Sequence, residues 1–192
     1  MSRLDFKPKF DKIVELLVYL AKKRPHADHY QAVKFLYLAD REHLNEYGRP
    51  ITFETYFALP YGPVATHALD LIKGDRATLE KAGIDRLPIK IKKLDKIYIL
   101  EKPEREVDFD LFSKSDLKIF DRIIKKHGKK SFEELYKLTH SHYAYKAAWD
   151  HRGGKKAVPM NYEDMLQAGP IKKAGYSKET IVQELESVAA HM

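Results

Sequence analysis

The chain has 192 residues, 44% of them hydrophobic, and a formal net charge of +7. This length and composition predict a folded protein with a core of its own, because disordered chains contain fewer apolar residues. The absence of cysteine excludes disulfides and thiolate metal sites, and a charged N-terminus with no apolar run of ~20 residues predicts a cytoplasmic protein.

Two helices are predicted at the start of the chain. The first spans about residues 9–23, where apolar residues recur at i, i+3, i+4 and i+7, and it stops before Pro25. The second begins at Asp28, a capping residue, and ends at Gly48, which favours left-handed backbone. This second helix is apolar on several faces, so we expect it to be central, with Asp40 facing solvent near its end.

A strand and a sharp turn follow the second helix. Residues 51–59 are rich in Thr, Tyr and Phe, which predicts a short strand that ends at Pro60. We expect Gly62 to turn the backbone and Pro63 to occupy the first position of a third helix, over residues 63–73.

The middle of the chain predicts a hairpin and then a return to helix. Isoleucine alternates with lysine at the start of residues 88–100, and Asp95 lies near the predicted turn. Residues 106–111 alternate acidic with apolar side chains and are interpreted as a surface linker. Ser113 and Ser131 each precede an acidic residue by three positions, which predicts two capping boxes.

The predicted fold class is α+β and mainly helical, a helical bundle with a small antiparallel sheet formed by the hairpin near residues 88–100. Asn161 can cap a short helix, a break is expected at Gly169-Pro170, and Ser177 begins a terminal helix. The order of the first elements partly resembles a winged-helix arrangement, a similarity that by itself says little about function.

Neither the histidines nor the glycines form a recognisable catalytic pattern. Residues 139–142 read Thr-His-Ser-His, which places a serine beside histidines, but the Gly-x-Ser-x-Gly pattern of a nucleophile elbow is absent. There is no His-Glu-x-x-His helix, and the glycines of residues 152–156 lack phosphate-loop spacing. We therefore expect no enzyme, no metal site and no cofactor; catalysis around His140 and His142 is the weakest hypothesis.

Several short motifs occur in the order found in one protein family. They are KFLYLA at residues 34–39, Gly48 with Pro-Ile after it, Tyr-Gly-Pro-Val at residues 61–64, and Leu-Thr-His at 138–140 followed by Ala-Trp at 148–149. In this set the chain resembles the Panacea domain of SocA-like antitoxins and of phage-associated GepA-like proteins. The resemblance covers about residues 28–156.

The resemblance implies a partner and a domain organisation. It implies an antitoxin that neutralises a cognate protein toxin by direct contact, with no catalytic residues. One Panacea-like domain is expected over residues 1–167, with a C-terminal extension at 168–192 that carries the terminal helix. The residues expected to contact the toxin are Tyr56, Tyr61, Gly62, Pro63, His140 and Trp149. Family members often carry Glu-Ala-Trp-like residues before the Tyr-Gly-Pro turn, where this chain has Tyr-Phe-Ala-Leu-Pro.

A nucleic-acid-binding regulator is the alternative function. Basic residues cluster between residues 113 and 130, and a basic hairpin can act as a wing that meets phosphate. The wing would use Lys90, Lys92, Lys93 and Lys96. The candidate reading helix at residues 63–73 is poor in Arg, Asn and Gln, which counts against specific base recognition.

Overall fold

A computed structural model describes residues 6–166 and 176–191 of the chain. The fold is α+β and mainly helical, as predicted. The helices of the described ranges are α1 Phe10–Lys23, α2 His29–Tyr47, α3 Thr66–Lys73, α4 Arg76–Lys81, α5 Lys114–His127, α6 Phe132–His140, α7 Tyr143–Asp150 and α8 Lys178–Ala190. The strands are β1 Ala27–Asp28, β2 Tyr56–Leu59, β3 Gly62–Ala65, β4 Ile89–Leu94, β5 Ile97–Pro103 and β6 Val158–Pro159.

The predicted helix caps are confirmed. The Asp28 side chain accepts a hydrogen bond from the Gln31 N–H at 2.7 Å, and Gly48 ends α2 with a φ of 77°. Ser113 and Ser131 form complete capping boxes at the starts of α5 and α6. These caps satisfy N–H groups that the first helical turn leaves without partners, which explains why they could be predicted locally.

Helix α2 lies at the centre of the molecule, as its apolar faces predict. It packs against α1, α3, α5 and α6 and against β3. Two small antiparallel sheets flank this helical core, one with the order β1-β5-β4 and the other with the order β3-β2-β6. The predicted hairpin is confirmed as the β4–β5 pair, with Asp95 at a φ of 51° in its turn.

The prediction for residues 51–65 was partly wrong. The strand is only β2, because the chain before it is irregular and Phe53 takes a φ of 55°. Gly62 and Pro63 do not begin a helix; they lie in β3, opposite Leu59 and Ala58 of β2. Strand β3 is at the edge of its sheet, a position that tolerates a residue without an N–H. Pairing across the turn therefore outweighs the local helix-start signal.

Asp40 is buried rather than exposed at the end of α2. Its carboxylate accepts hydrogen bonds from the backbone N–H groups of Ile51 and Thr52 at 2.8 and 2.9 Å and from the Tyr56 hydroxyl at 2.9 Å. A carboxylate can be buried when such donors replace its water. Burial raises the pKa of Asp40, against the opposing effect of these hydrogen bonds.

Several short elements were not predicted, or were predicted with other bounds. Helices α4 and α7 and strands β1 and β6 carry weak local signals, and the linker contains a single 3-10 turn, Phe109–Leu111. The short helix expected after Asn161 is a 3-10 turn at Glu163–Met165. Ser177 caps α8 through the Thr180 N–H. The expected break at Gly169-Pro170 lies outside the described residues.

A buried carboxylate joins α1, α2 and α5. Asp116 of α5 is fully buried and lies 2.8 Å from Lys12 Nζ, 2.8 Å from Arg49 Nη2 and 3.0 Å from His43 Nε2. Burial alone would raise the pKa of Asp116, but the contacts with His43, Lys12 and Arg49 outweigh it and hold that pKa well below its usual range. These contacts connect elements that are far apart in sequence.

Two buried histidines have lowered pKa values, His127 at the end of α5 and His142 just before α7. Burial, followed by the charges of Lys126 and Lys130, lowers the pKa of His127 to about 4. Burial, followed by the charge of Arg41 and by His127 itself, lowers the pKa of His142 to about 3. Protonation of either histidine would place a positive charge in a poorly hydrated site, beside Lys126 and Lys130 for His127 or beside Arg41 for His142.

We expect the free energy of unfolding to fall as the pH is lowered from 7 to 5. The folded protein keeps His127 and His142 neutral in this range, whereas the unfolded chain binds protons with a pKa of about 6.5, so acid favours unfolding by about 1–2 kcal/mol for each histidine. Denaturant titrations at pH 5, 6 and 7 measure the slope. The double variant H127Q/H142Q should flatten it; an unchanged slope would contradict the assignment. Asp40, whose raised pKa acts in the opposite direction, is present in both proteins.

No helix in the described part of the chain is both long enough and apolar enough to span a membrane.

Candidate partner-binding surface

Three motif segments that are distant in sequence meet at the Tyr-Gly-Pro turn. A methyl group added at Gly62 would lie 2.8 Å from Lys34 Nζ, 3.0 Å from Thr139 Oγ1 and 3.1 Å from His140 Cε1. The φ of Gly62 is 97°, a conformation that side chains with a Cβ rarely adopt. Both the space and the backbone at this position therefore require glycine.

Lys34 of α2 is fully buried beneath the turn. Its Nζ donates a 2.7 Å hydrogen bond to the Pro63 carbonyl and lies 4.8 Å above the ring of Tyr30. No described acidic residue forms an ion pair with it, and burial lowers its pKa to about 7. The hydrogen bond to the Pro63 carbonyl joins α2 to β3, whereas the contact with Tyr30 lies within α2 itself.

His140 and Tyr145 stabilise the other side of the turn. The His140 ring nitrogens face the Tyr136 carbonyl at 2.8 Å and the Pro60 carbonyl at 3.2 Å, and the Tyr145 hydroxyl donates to the Leu59 carbonyl at 2.9 Å. Burial lowers the pKa of His140, against the raising effect of both carbonyls. The turn is therefore held from α2, α6 and α7 at once.

A continuous line of rings runs over this turn, and we call it the aromatic row: Tyr61, Phe132, Tyr136, His140 and Trp149. Neighbouring ring centres are 6.0 Å apart for Tyr61 and Phe132, 6.1 Å for Phe132 and Tyr136, and 3.6 Å for Tyr136 and His140. Buried Tyr145 connects His140 to Trp149, at 4.3 and 5.9 Å.

The exposed end of the aromatic row is its most distinctive part. Tyr61 is 64% exposed and Phe132 is 46% exposed, although both rings contact each other. At the far end the guanidinium of Arg152 lies 4.4 Å from the Trp149 ring. Rigid aromatic side chains bury a large area at a small cost in entropy, which makes such a row suitable for contact with a protein.

The structure places the six predicted contact residues in different environments. Tyr61, His140 and Trp149 belong to the aromatic row, whereas Gly62 and Pro63 are buried beneath it. Tyr56 is 1% exposed and lies in the core, so the expectation that it contacts a partner requires a correction. The reason is the strand period: Tyr56 points inward with Ala58, towards Asp40 of α2.

Sequence reasoning missed Phe132, Tyr136 and Lys34. The signal for the first two was present, because residues 132, 136 and 140 are four positions apart and share one face of α6. The role of Lys34 could not be predicted, since its partner Pro63 is 29 positions away and lies in a strand that was expected to be a helix.

The lysines of the predicted wing are not equivalent. Lys90 pairs with Glu101 at 3.0 Å, and Lys93 lies 5.3 Å from the ring of Tyr98. Lys92 and Lys96 are exposed near the hairpin turn. On α5, Arg122 pairs with Glu42 and Glu46 of α2, so part of the positive charge is neutralised within the protein.

The described side chains show little that resembles a catalytic site. Ser141 donates to the Leu138 carbonyl at 2.7 Å, away from both neighbouring histidines. His43 Nε2 lies 3.0 Å from Ser115 Oγ, but Asp116 approaches the same nitrogen, whereas a catalytic triad places the acid on the opposite one. Within residues 6–166 and 176–191, no group of three or more His, Asp or Glu side chains could hold a metal ion.

The motif segments that meet at the turn agree with a family assignment. Residues 33–146 match the family described as antitoxin SocA-like, Panacea domain. This match spans more than half of the 192 residues, and the chain belongs to that family. A search of curated proteins and a search of solved structures each found no match.

Proposed function

We propose that the protein is an antitoxin that neutralises a cognate protein toxin by direct contact through the aromatic row. The observation that carries the proposal is the exposed Tyr61–Phe132 pair on a turn that the family's own motif segments stabilise. Preorganised aromatic anchors make strong contacts because little conformational freedom is lost when they bind. The family to which the chain belongs is named for antitoxins.

The proposal includes no catalysis by this chain. A toxin can be neutralised by covering its active surface, which requires a stable interface of at least ~1,000 Å² and no reacting group. Nucleic-acid binding through the hairpin is not favoured, because Lys90 is already paired with Glu101 and helix α3 contains no Arg, Asn or Gln to read bases.

The test is a growth-rescue assay with the protein encoded beside this chain as the candidate toxin. The toxin is expressed under tight control with and without the antitoxin, and the complex is then isolated from the rescued cells. We expect restored growth and a stable complex of defined stoichiometry. A toxic neighbour that is neither rescued nor bound would contradict the proposal.

We expect the double variant Y61A/F132A to weaken toxin binding by about 100-fold or more, which corresponds to about 3 kcal/mol. Both side chains are already exposed in the free protein, so their removal leaves no cavity in the core. Calorimetric titration of purified toxin measures the change.

Phe109→Ala is the matched control for the double variant. Phe109 is 44% exposed and its ring packs edge-on against Tyr19, away from the aromatic row. The control should keep the wild-type affinity. Equal binding by the wild type and Y61A/F132A would exclude the aromatic row as the toxin-binding surface.

A further inference from the structure

A second surface feature lies between α3–α4 and the β4–β5 hairpin. It is a groove of about 340 Å³, which is at the lower end of the range for small binding sites. Its floor is apolar and comes from both sides of the groove: Leu71, Ile72, Leu79, Leu87, Ile89 and Ile91.

The rim of the groove is positively charged. Lys73 of α3, Lys93 of β4 and Arg86 line it, and none of the described lining residues is acidic. Arg86 pairs with Glu104, whereas neither Lys73 nor Lys93 forms an ion pair with a described residue. Two cations therefore lie beside an apolar floor without a salt bridge to a described residue, although Asp70 of α3 is near Lys73.

The groove adjoins the aromatic row at the start of α2. Tyr98, on its rim, packs edge-on against His29 at 5.8 Å, and its N–H donates to His29 Nδ1 at 3.2 Å. The next residue, Tyr30, packs against Phe132 with the ring centres 4.5 Å apart and the rings tilted by 36°. The groove and the aromatic row are therefore linked through two adjacent residues of α2.

We propose that the groove is the docking site for an acidic segment of the toxin. An aliphatic side chain of that segment occupies the apolar floor, and carboxylates beside it meet Lys73 and Lys93. This proposal rests on the proposed function, and it adds the chemistry of the partner. Complementary charge selects the partner and accelerates its association. A nucleic-acid strand fits less well, because the floor of the groove is aliphatic and the Tyr98 ring on its rim already packs against His29.

The test compares two charge reversals on the full chain with the purified toxin. In K73E/K93E the rim becomes negative, whereas K92E/K96E makes the same change in net charge on exposed lysines that do not line the groove. We expect the rim variant to bind toxin at least about tenfold more weakly, with the loss reduced at high salt, and the control to stay within about threefold of wild type.

A photo-crosslink identifies the bound segment. Replacement of Tyr98 by p-benzoylphenylalanine keeps a ring at the rim, and mass spectrometry of the crosslinked complex should find a toxin peptide with Asp or Glu next to an aliphatic residue. A crosslinked peptide without an acidic residue would overturn the proposal, as would equal loss in both charge reversals or no loss in either.

Two further outcomes separate this proposal from its alternatives. A titration with a single-stranded oligonucleotide of 20 nucleotides serves as the nucleic-acid probe. If K73E/K93E abolishes oligonucleotide binding and leaves toxin binding intact, the groove is a nucleic-acid site and the proposal is wrong. If the wild-type protein does not bind the toxin, the proposed function fails as well. If the wild type binds the toxin and the groove variants bind it equally tightly, the groove proposal is wrong but the proposed function stands.

Discussion

Gly62→Ala is expected to lower the free energy of unfolding by about 2–4 kcal/mol. The new methyl group would lie 2.8 Å from Lys34 Nζ and 3.0 Å from Thr139 Oγ1, and both atoms are buried. Neither can move without cost, because Lys34 donates to the Pro63 carbonyl and Thr139 donates to the Leu135 carbonyl. Urea titration monitored by circular dichroism measures the change.

Gly74→Ala separates backbone strain from crowding. Gly74 also has a positive φ, 75°, but a methyl group there meets no atom within 4 Å. We expect this control to cost about 1–2 kcal/mol, the strain alone. If the two variants are equally stable, the contacts of Gly62 with Lys34 and Thr139 do not hold the turn.

Asp116→Asn is expected to destabilise the protein by about 3–5 kcal/mol, because it removes the shared counter-charge of a buried cluster. Lys12, Arg49 and His43 all contact this carboxylate, and Lys12 is largely buried with it. The amide keeps the shape of the side chain, so the loss reports charge rather than packing. Urea titration at pH 7 measures it.

Asp121→Asn is the control on the same helix. Asp121 is about half exposed; it lies 3.6 Å from Lys23 and accepts a hydrogen bond from Tyr19. An exposed pair contributes about 0–1 kcal/mol, so this variant should remain close to wild type. A cost below 1 kcal/mol for Asp116→Asn would mean that the cluster does not hold α1, α2 and α5 together.

Features set by neighbouring residues could be predicted from the sequence. The caps at Asp28, Ser113 and Ser131 depend on hydrogen bonds across three positions, and the hairpin depends on alternation over a few residues. Each satisfies local backbone groups, so the local pattern carries the information. The same holds for the family resemblance, whose motifs are short and ordered along the chain.

Features set by distant partners could not be predicted. The position of Asp40 near a helix end predicts an exposed polar residue. The carboxylate is buried instead, where it accepts hydrogen bonds from the Thr52 N–H and the Tyr56 hydroxyl. The local sequence predicts that Pro63 begins a helix, but pairing with Ala58 places it in strand β3. In both cases the deciding contact lies in another element, and it outweighs a local preference worth about 1 kcal/mol or less.

The candidate surface could be predicted only in part, because some of its residues lie in short local motifs and others come together only in the fold. Tyr61, His140 and Trp149 were found because they stand in or beside the family motifs, and they do share one surface. Tyr56 was included by proximity in sequence, although the strand period turns it inward. The groove could not be predicted, because Lys73 and Lys93 come together only when the hairpin folds against α3.

The central claim is neutralisation by direct contact, and calorimetric titration of purified toxin into this protein tests it most directly. The account predicts a saturable complex in which the loss of affinity in Y61A/F132A parallels the loss of growth rescue by the same variant. Rescue that persists when the purified proteins do not bind would contradict it, because protection would then not require contact between this chain and the toxin.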